Sequence, residues 1–123
     1  LVLELNGYRS AQVTEKTEQI ICAVGLDQQK NKFPDQLSGG EQQRVAIARA
    51  LVHSPKLVLA DELTGNLDAE SGKKILSLLQ KLMTKSGGAL FMVTHSLAVA
   101  KTADRILTLD NGLLIEREGN FAW

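Results

Sequence analysis

Two short apolar runs bracket a stretch of helical spacing, and that order restricts the fold more than any other feature of the chain. Residues 57–60 read Leu-Val-Leu-Ala, and residues 89–94 read Ala-Leu-Phe-Met-Val-Thr. Continuous apolar runs of this length fit strands buried on both faces, as in a parallel sheet. Between them Ile75, Leu78, Leu79 and Leu82 recur at helical spacing. Asp68 is placed to cap that helix over 69–85, and Ser86, Gly87 and Gly88 stop it. A short helix over 97–103 and a strand over 106–109 follow. Asn111 and Gly112 then make a hairpin signal, with 113–117 as the returning strand. Strand, helix, strand, helix, strand predicts an α/β protein, with a mainly parallel sheet and flanking helices.

The first half reads differently. Residues 1–5 are apolar and fit helix or strand equally, and Asn6 and Gly7 break them. Val13, Ile20, Ile21 and Val24 suit a helix from Ser10 to about Val24, with Gly25 as its stop. Residues 26–37 are polar, contain Phe33 and Pro34, and read as a loop.

The stretch LSGGEQQRVAIARAL, residues 37–51, opens a helix on two glycines. Glycine costs roughly 1 kcal/mol against alanine inside a helix. Ser38 and Glu41 have the spacing of a capping box, in which each side chain satisfies the other's backbone amide. Val45, Ile47, Ala48, Leu51 and Val52 give the apolar face, so a helix over 39–53 is expected, ended by Pro55. Its first turn presents unpaired N–H groups and the positive end of the helix dipole. Gly39 and Gly40 carry no Cβ, so a bulky anion such as phosphate can approach those amides closely. On the helix start alone, a phosphate site and a plain cap are equally supported.

The 123 residues have zero formal net charge and are 44% hydrophobic, which fits one ordinary soluble domain or part of one. No apolar run approaches the roughly 18 residues of a membrane span, and no signal-peptide pattern occurs. No basic tract points to nucleic acid. A single cysteine, Cys22, excludes an internal disulfide framework and suits a reducing cytoplasm. Its place within an apolar helix face reads as a small core residue. The first residue is leucine, so the expectation is a piece of something longer.

Acids follow the first apolar run. Asp61 and Glu62 stand at a strand's C-terminal end, where open parallel sheets bind ligands. Adjacent carboxylates repel unless a cation or a division of roles separates them. Mg²⁺ accepts one or two carboxylates together with phosphate oxygens and water, and the neighbouring acid can orient or deprotonate an attacking water. Two hydrated acids at a strand end are the plainer alternative. The second run ends on Thr94 and His95, and a histidine there can hydrogen-bond a phosphate or a water. Two strands delivering polar groups to one sheet edge, with a phosphate-type helix start in the same chain, point to phosphoryl chemistry.

These residues together resemble the ATP-binding cassette (ABC) ATPases. Residues 37–51 look like their signature motif, 57–62 like the Walker B strand with its catalytic glutamate, 65–68 like the D-loop, and His95 like the switch histidine. The wording of DELTGNLD and VTHS is similar to the lipoprotein-release, macrolide-export and cell-division branch. The resemblance covers essentially the whole chain. It implies a partial P-loop NTPase fold, with 1–49 as a helical-subdomain remnant carrying the signature and 50–123 as the α/β core. It implies ATP and Mg²⁺ as cofactors. Ser38, Gly39, Gly40 and the first turn through Glu41 would contact the γ-phosphate of ATP held by an opposite subunit. Asp61 would hold Mg²⁺, mostly through water. Glu62 would polarise the attacking water, and His95 would contact the γ-phosphate. Asp68 would link the two sites. The implied partners are a second ATPase subunit, paired head to tail, and a membrane permease, with no nucleic acid. The implied location is the cytoplasm, at the inner face of the membrane.

The chain departs from the family twice. Leu63 stands where the family usually has proline, which frees φ and restores an N–H. No G-x-x-x-x-G-K-[ST] occurs, so the Walker A half is lacking from these residues. The 123 residues alone are therefore expected to be marginally stable, with apolar strand surface open, and not to turn over ATP. Two other functions are compatible: an ABC-type ATPase acting on DNA or the ribosome, and a half-cassette without catalysis.

Overall fold

Helices build most of the first 92 residues. The computed structural model describes residues 1–65 and 67–117. It divides into two units, Leu1–Met92 and Val93–Trp123. Asn66 of the D-loop stretch and residues 118–123 lie outside the described residues.

In the first unit, the undecided segment at the N-terminus is a helical turn, α1 (Val2–Leu5). α2 (Ser10–Ala23) starts where the Arg9 N–H donates to Gln12 Oε1 at 3.1 Å. It stops at Gly25, whose φ of +72° lets the Leu26 N–H turn back to the Ile21 carbonyl at 3.0 Å. The expected loop holds two short 3₁₀ turns, Asp27–Gln29 and Pro34–Gln36. α3 (Gly39–Leu51) follows. It ends two residues before the expected His53 because Ser54, at φ +55°, closes an i→i+3 bond to the Leu51 carbonyl ahead of Pro55. α4 (Ala69–Ser86) is stopped by Gly87 at φ +65°.

The core is where these helices meet. Val24, Leu26, Ile47, Ala48, Leu51, Ile75, Leu79 and Met83 are buried in one cluster. Arg44 Nη1 donates to the Val24 carbonyl at 2.8 Å, tying α3 to the end of α2. Burying a side chain such as Ile47 or Leu51 contributes about 1.5–3 kcal/mol, so the core outweighs the propensity cost of two glycines at the start of α3.

β1 (Leu57–Asp61) and β2 (Ala89–Val93) are neighbours in a two-stranded sheet. The Ala89 N–H donates to the Lys56 carbonyl at 2.8 Å, at the beginning of both strands. With α4 as the crossover, the two strands run parallel, in the expected β-α-β order.

Two expectations are corrected here. The strands are not buried on both faces: Val58 and Leu90 pack against the helical core, while Leu57, Leu59 and Phe91 are exposed. The helical core lies against one set of alternating side chains, so a continuous apolar run takes on period-two burial. Cys22 is exposed rather than part of the core. Ile20 and Val24 share one stripe of α2, and Cys22 lies two residues from each, on the opposite side of the helix.

In the second unit, α5 (Leu97–Ala100) is shorter than expected because Thr102 and Ala103 close i→i+3 bonds instead of continuing the helix. β3 (Leu107–Asp110) and β4 (Leu113–Glu116) form the expected hairpin, with Leu107 opposite Glu116 and Asp110 opposite Leu113. Asn111 (φ +49°) and Gly112 (φ +81°) make the two-residue turn, whose positive φ angles match strand twist. Arg105 grips Glu116 with two bonds of 2.7 and 2.9 Å.

Candidate functional site

The two glycines of α3 are not there to make room for protein. A Cβ built on Gly39 or Gly40 meets nothing within 4 Å, and neither residue has a positive φ. The space in front of the first turn is open, which fits the approach of a phosphate to its amides. Ser38 and Glu41 form the expected capping box: Ser38 Oγ accepts from the Glu41 N–H at 3.3 Å, and Glu41 Oε2 accepts from the Ser38 N–H at 2.8 Å. The Ser38 backbone N–H, and then its hydroxyl, hold the Glu41 carboxyl below its ordinary value of 4.5. At neutral pH its charge therefore sits beside the positive end of the helix.

Asp61 is the last residue of β1, and Glu62 follows it into a turn. Both are exposed. Glu62 has φ +46°, a left-handed conformation that costs a non-glycine residue about 1–3 kcal/mol and is concentrated at functional sites. The Gly65 N–H donates to the Glu62 carbonyl at 3.0 Å, closing the turn. A cleft of about 430 Å³ runs between α3 and the end of β1, with Gly39, Gln42, Gln43, Asp61, Glu62 and Leu63 in its walls. The first signature glycine and both acids thus line one cavity.

Asp68 Oδ1 caps α4, accepting from the Glu70 and Ser71 amides at 3.1 and 3.0 Å. Bonding to Ser71 first, and to the Glu70 amide, holds its carboxyl below 3.8. His95 belongs to the second unit. It is exposed in the turn before α5, between Thr94, whose Oγ1 accepts the Ser96 N–H at 3.0 Å, and Ser96, which caps that helix.

Among the described residues no group of three or more His, Cys, Asp or Glu is arranged to hold a metal ion. The acid pair supplies at most two carboxylates. That donor set suits Mg²⁺ shared with phosphate oxygens and water, not an all-protein cage.

Two features of this region arise only when α3, α4 and the acid turn come together. Gln43 Nε2 donates to the Leu63 carbonyl at 3.2 Å, joining α3 to the acid turn. Gly72, buried in α4, faces Thr64 of the same turn, and a Cβ there would meet Thr64 Cβ at 3.2 Å. An isolated glycine inside a helical pattern is the available signal for the second; a glutamine on a polar helix face gives none for the first.

Known proteins are similar to this chain along most of its length. A family model described as ABC transporter matches residues 2–65. An uncharacterised ABC transporter ATP-binding protein of Mycobacterium tuberculosis is 47% identical over 112 residues, covering 91% of this chain and 45% of that protein. A lipoprotein-releasing system ATP-binding protein of Hyphomonas neptunium is 44% identical over 114 residues, covering 93% of this chain and 50% of its own. The solved structure of a dimeric bacterial ABC transporter cassette superposes with a TM-score of 0.71 at 38% identity, covering 92% of this chain and 50% of that one. The chain spans about half the length of these proteins.

Proposed function

Because the chain belongs to the ABC transporter family, we propose that it is the signature and Walker B portion of an ATP-binding, ATP-hydrolysing transporter subunit. The observation that carries this reading is the shared cleft: Gly39 of the open helix start and the acids Asp61 and Glu62 line the same cavity. Residues 1–49 supply the signature part and 50–123 the α/β core.

In this reading Ser38, Gly39, Gly40 and the turn through Glu41 bind the γ-phosphate of ATP presented by a second subunit, head to tail. Mg²⁺, when bound, neutralises phosphate charge; Asp61 holds it, mostly through water. Glu62 accepts a hydrogen bond from the attacking water and polarises it. His95 contacts the γ-phosphate, and Asp68 joins the two sites. The dimeric state of the similar cassette supports the pairing. No helix among the described residues is long and apolar enough to cross a membrane. A permease at the inner face of the membrane is the proposed route by which closure on ATP is coupled to transport.

The 123 residues alone are expected to be inactive, so the test is Mg²⁺-dependent ATP turnover by a subunit in which they are joined to a Walker A half, and by its Glu62→Gln variant. Losing the base should lower turnover about a hundredfold or more while ATP binding persists. Undiminished hydrolysis by Glu62→Gln would remove Glu62 from its role, and no hydrolysis by the unsubstituted protein would refute the reading.

A further inference from the structure

Gln43 projects from the second turn of α3, one turn beyond the glycines. Its Nε2 donates to the Leu63 carbonyl at 3.2 Å, in a half-buried setting and across twenty residues of chain. Leu63 immediately follows Glu62, whose left-handed backbone is held by the Gly65 N–H bond. The Glu62 side chain folds back over this turn: a Cβ on Gly65 would lie 3.7 Å from Glu62 Cβ and 3.8 Å from Oε2. Reorienting the peptide that carries the Leu63 carbonyl would thus shift the support beneath the carboxylate. The turn is braced elsewhere by carbon contacts. Leu63 and Leu67 pack on the core, and Thr64 packs on Gly72. Those contacts fix its depth. The bond from Gln43 adds a directional tether to the helix that presents the glycines.

We propose that Gln43 is a positioning residue, which holds the Glu62 turn in register with the glycine start of α3 through the Leu63 carbonyl. This rests on the function proposed above, because it assigns Gln43 a part in bringing Glu62 to a water at the γ-phosphate. Gln43 touches neither nucleotide nor water in this role. Its loss leaves nucleotide contacts in place and degrades the placement of the acid, so kcat falls and KM does not.

The experiment is steady-state ATP hydrolysis by the subunit with its Walker A half joined, unsubstituted and as Gln43→Leu, Gln43→Glu and Gln43→Lys, with circular dichroism as the folding check. Gln43→Leu removes the donor, and Gln43→Glu removes it while keeping the shape, so either serves if the other does not fold. Both should lower kcat about fivefold, the effect of one lost hydrogen bond, with KM within about twofold of the unsubstituted value. Gln43→Lys restores an N–H donor of similar reach and should recover most of the rate. Unchanged kcat in a folded donorless variant overturns the proposal while leaving the ATPase reading intact. So does a Gln43→Lys variant as slow as Gln43→Leu, because bulk and not the donor then matters. Absence of hydrolysis in the unsubstituted protein fails the ATPase reading first, and this proposal with it.

Discussion

Gly72→Ala should separate stability from rate. Gly72 is buried in α4, where replacing glycine by alanine favours the helix by about 1 kcal/mol. Opposing this, the new methyl would lie 3.2 Å from Thr64 Cβ and 3.4 Å from Thr64 Cγ2. A relaxed carbon contact is about 3.5–4.0 Å, so Thr64 must retreat by a few tenths of an ångström. Thr64 is half-buried and sits on a turn, which can yield at a cost below that of overpacking a rigid core. The two effects nearly cancel, and the folded state should change by less than about 1 kcal/mol. The retreat, however, is passed to the turn that carries Glu62. Misplacement by about 1 Å can cost on the order of a hundredfold in rate, so a few tenths should cost about fivefold. Urea denaturation at constant m-value reads the first quantity, and ATP hydrolysis by the same variant in a subunit carrying the Walker A half reads the second. A variant that gains stability and keeps its full rate would refute the claim that Thr64 transmits position to Glu62. A loss of several kcal/mol would show instead that the turn is rigid.

Two further outcomes follow from the same geometry. Gly88→Ala should destabilise by about 1–3 kcal/mol, because its Cβ would lie 2.5 Å from the buried Met83 Cε and 3.0 Å from the Pro55 carbonyl; a urea midpoint at or above that of the unsubstituted protein would contradict it. Hydrogen bonds hold the carboxyls of Glu41, Asp68 and Glu116 below their ordinary values of 4.5, 3.8 and 4.5, so their contribution to stability is fully present above pH 4.5 and is lost as the pH falls through the lowered values. The urea midpoint should therefore drop as the pH falls below 4.5, less steeply in Glu41→Gln, and a flat profile would count against it.

Features legible in the sequence were those decided within a few residues. Ser38 and Glu41 satisfy each other at three-residue spacing, and Asp68 accepts the amides of Glu70 and Ser71, so both helix starts stand where their caps put them. Asn111 and Gly112 specify the hairpin because few other pairs accept two positive φ angles. What went astray depends on distant contacts. Periodicity within residues 57–60 cannot tell one covered face from two, and the helical core covers the Val58 side alone, leaving Leu57 and Leu59 exposed. Cys22 is the local exception: its neighbours are apolar, but its angle from Ile20 and Val24 already puts it off their stripe.

The site itself falls on both sides of that division. The chemistry of Asp61, Glu62 and the two glycines is local and can be read from residue type and spacing. Their convergence on one cleft is not local, and it depends on α3 lying against the end of β1. Gln43 looks like one more polar residue on an outer helix face until Leu63 is brought beneath it. Gly72 differs, because glycine inside a helix is unfavourable by about 1 kcal/mol and so implies a neighbour that a side chain would obstruct. Thr64 is that neighbour. An unfavourable residue can therefore announce a close approach from sequence alone, whereas a favourable contact such as the Gln43 tether leaves no mark until the chain is folded.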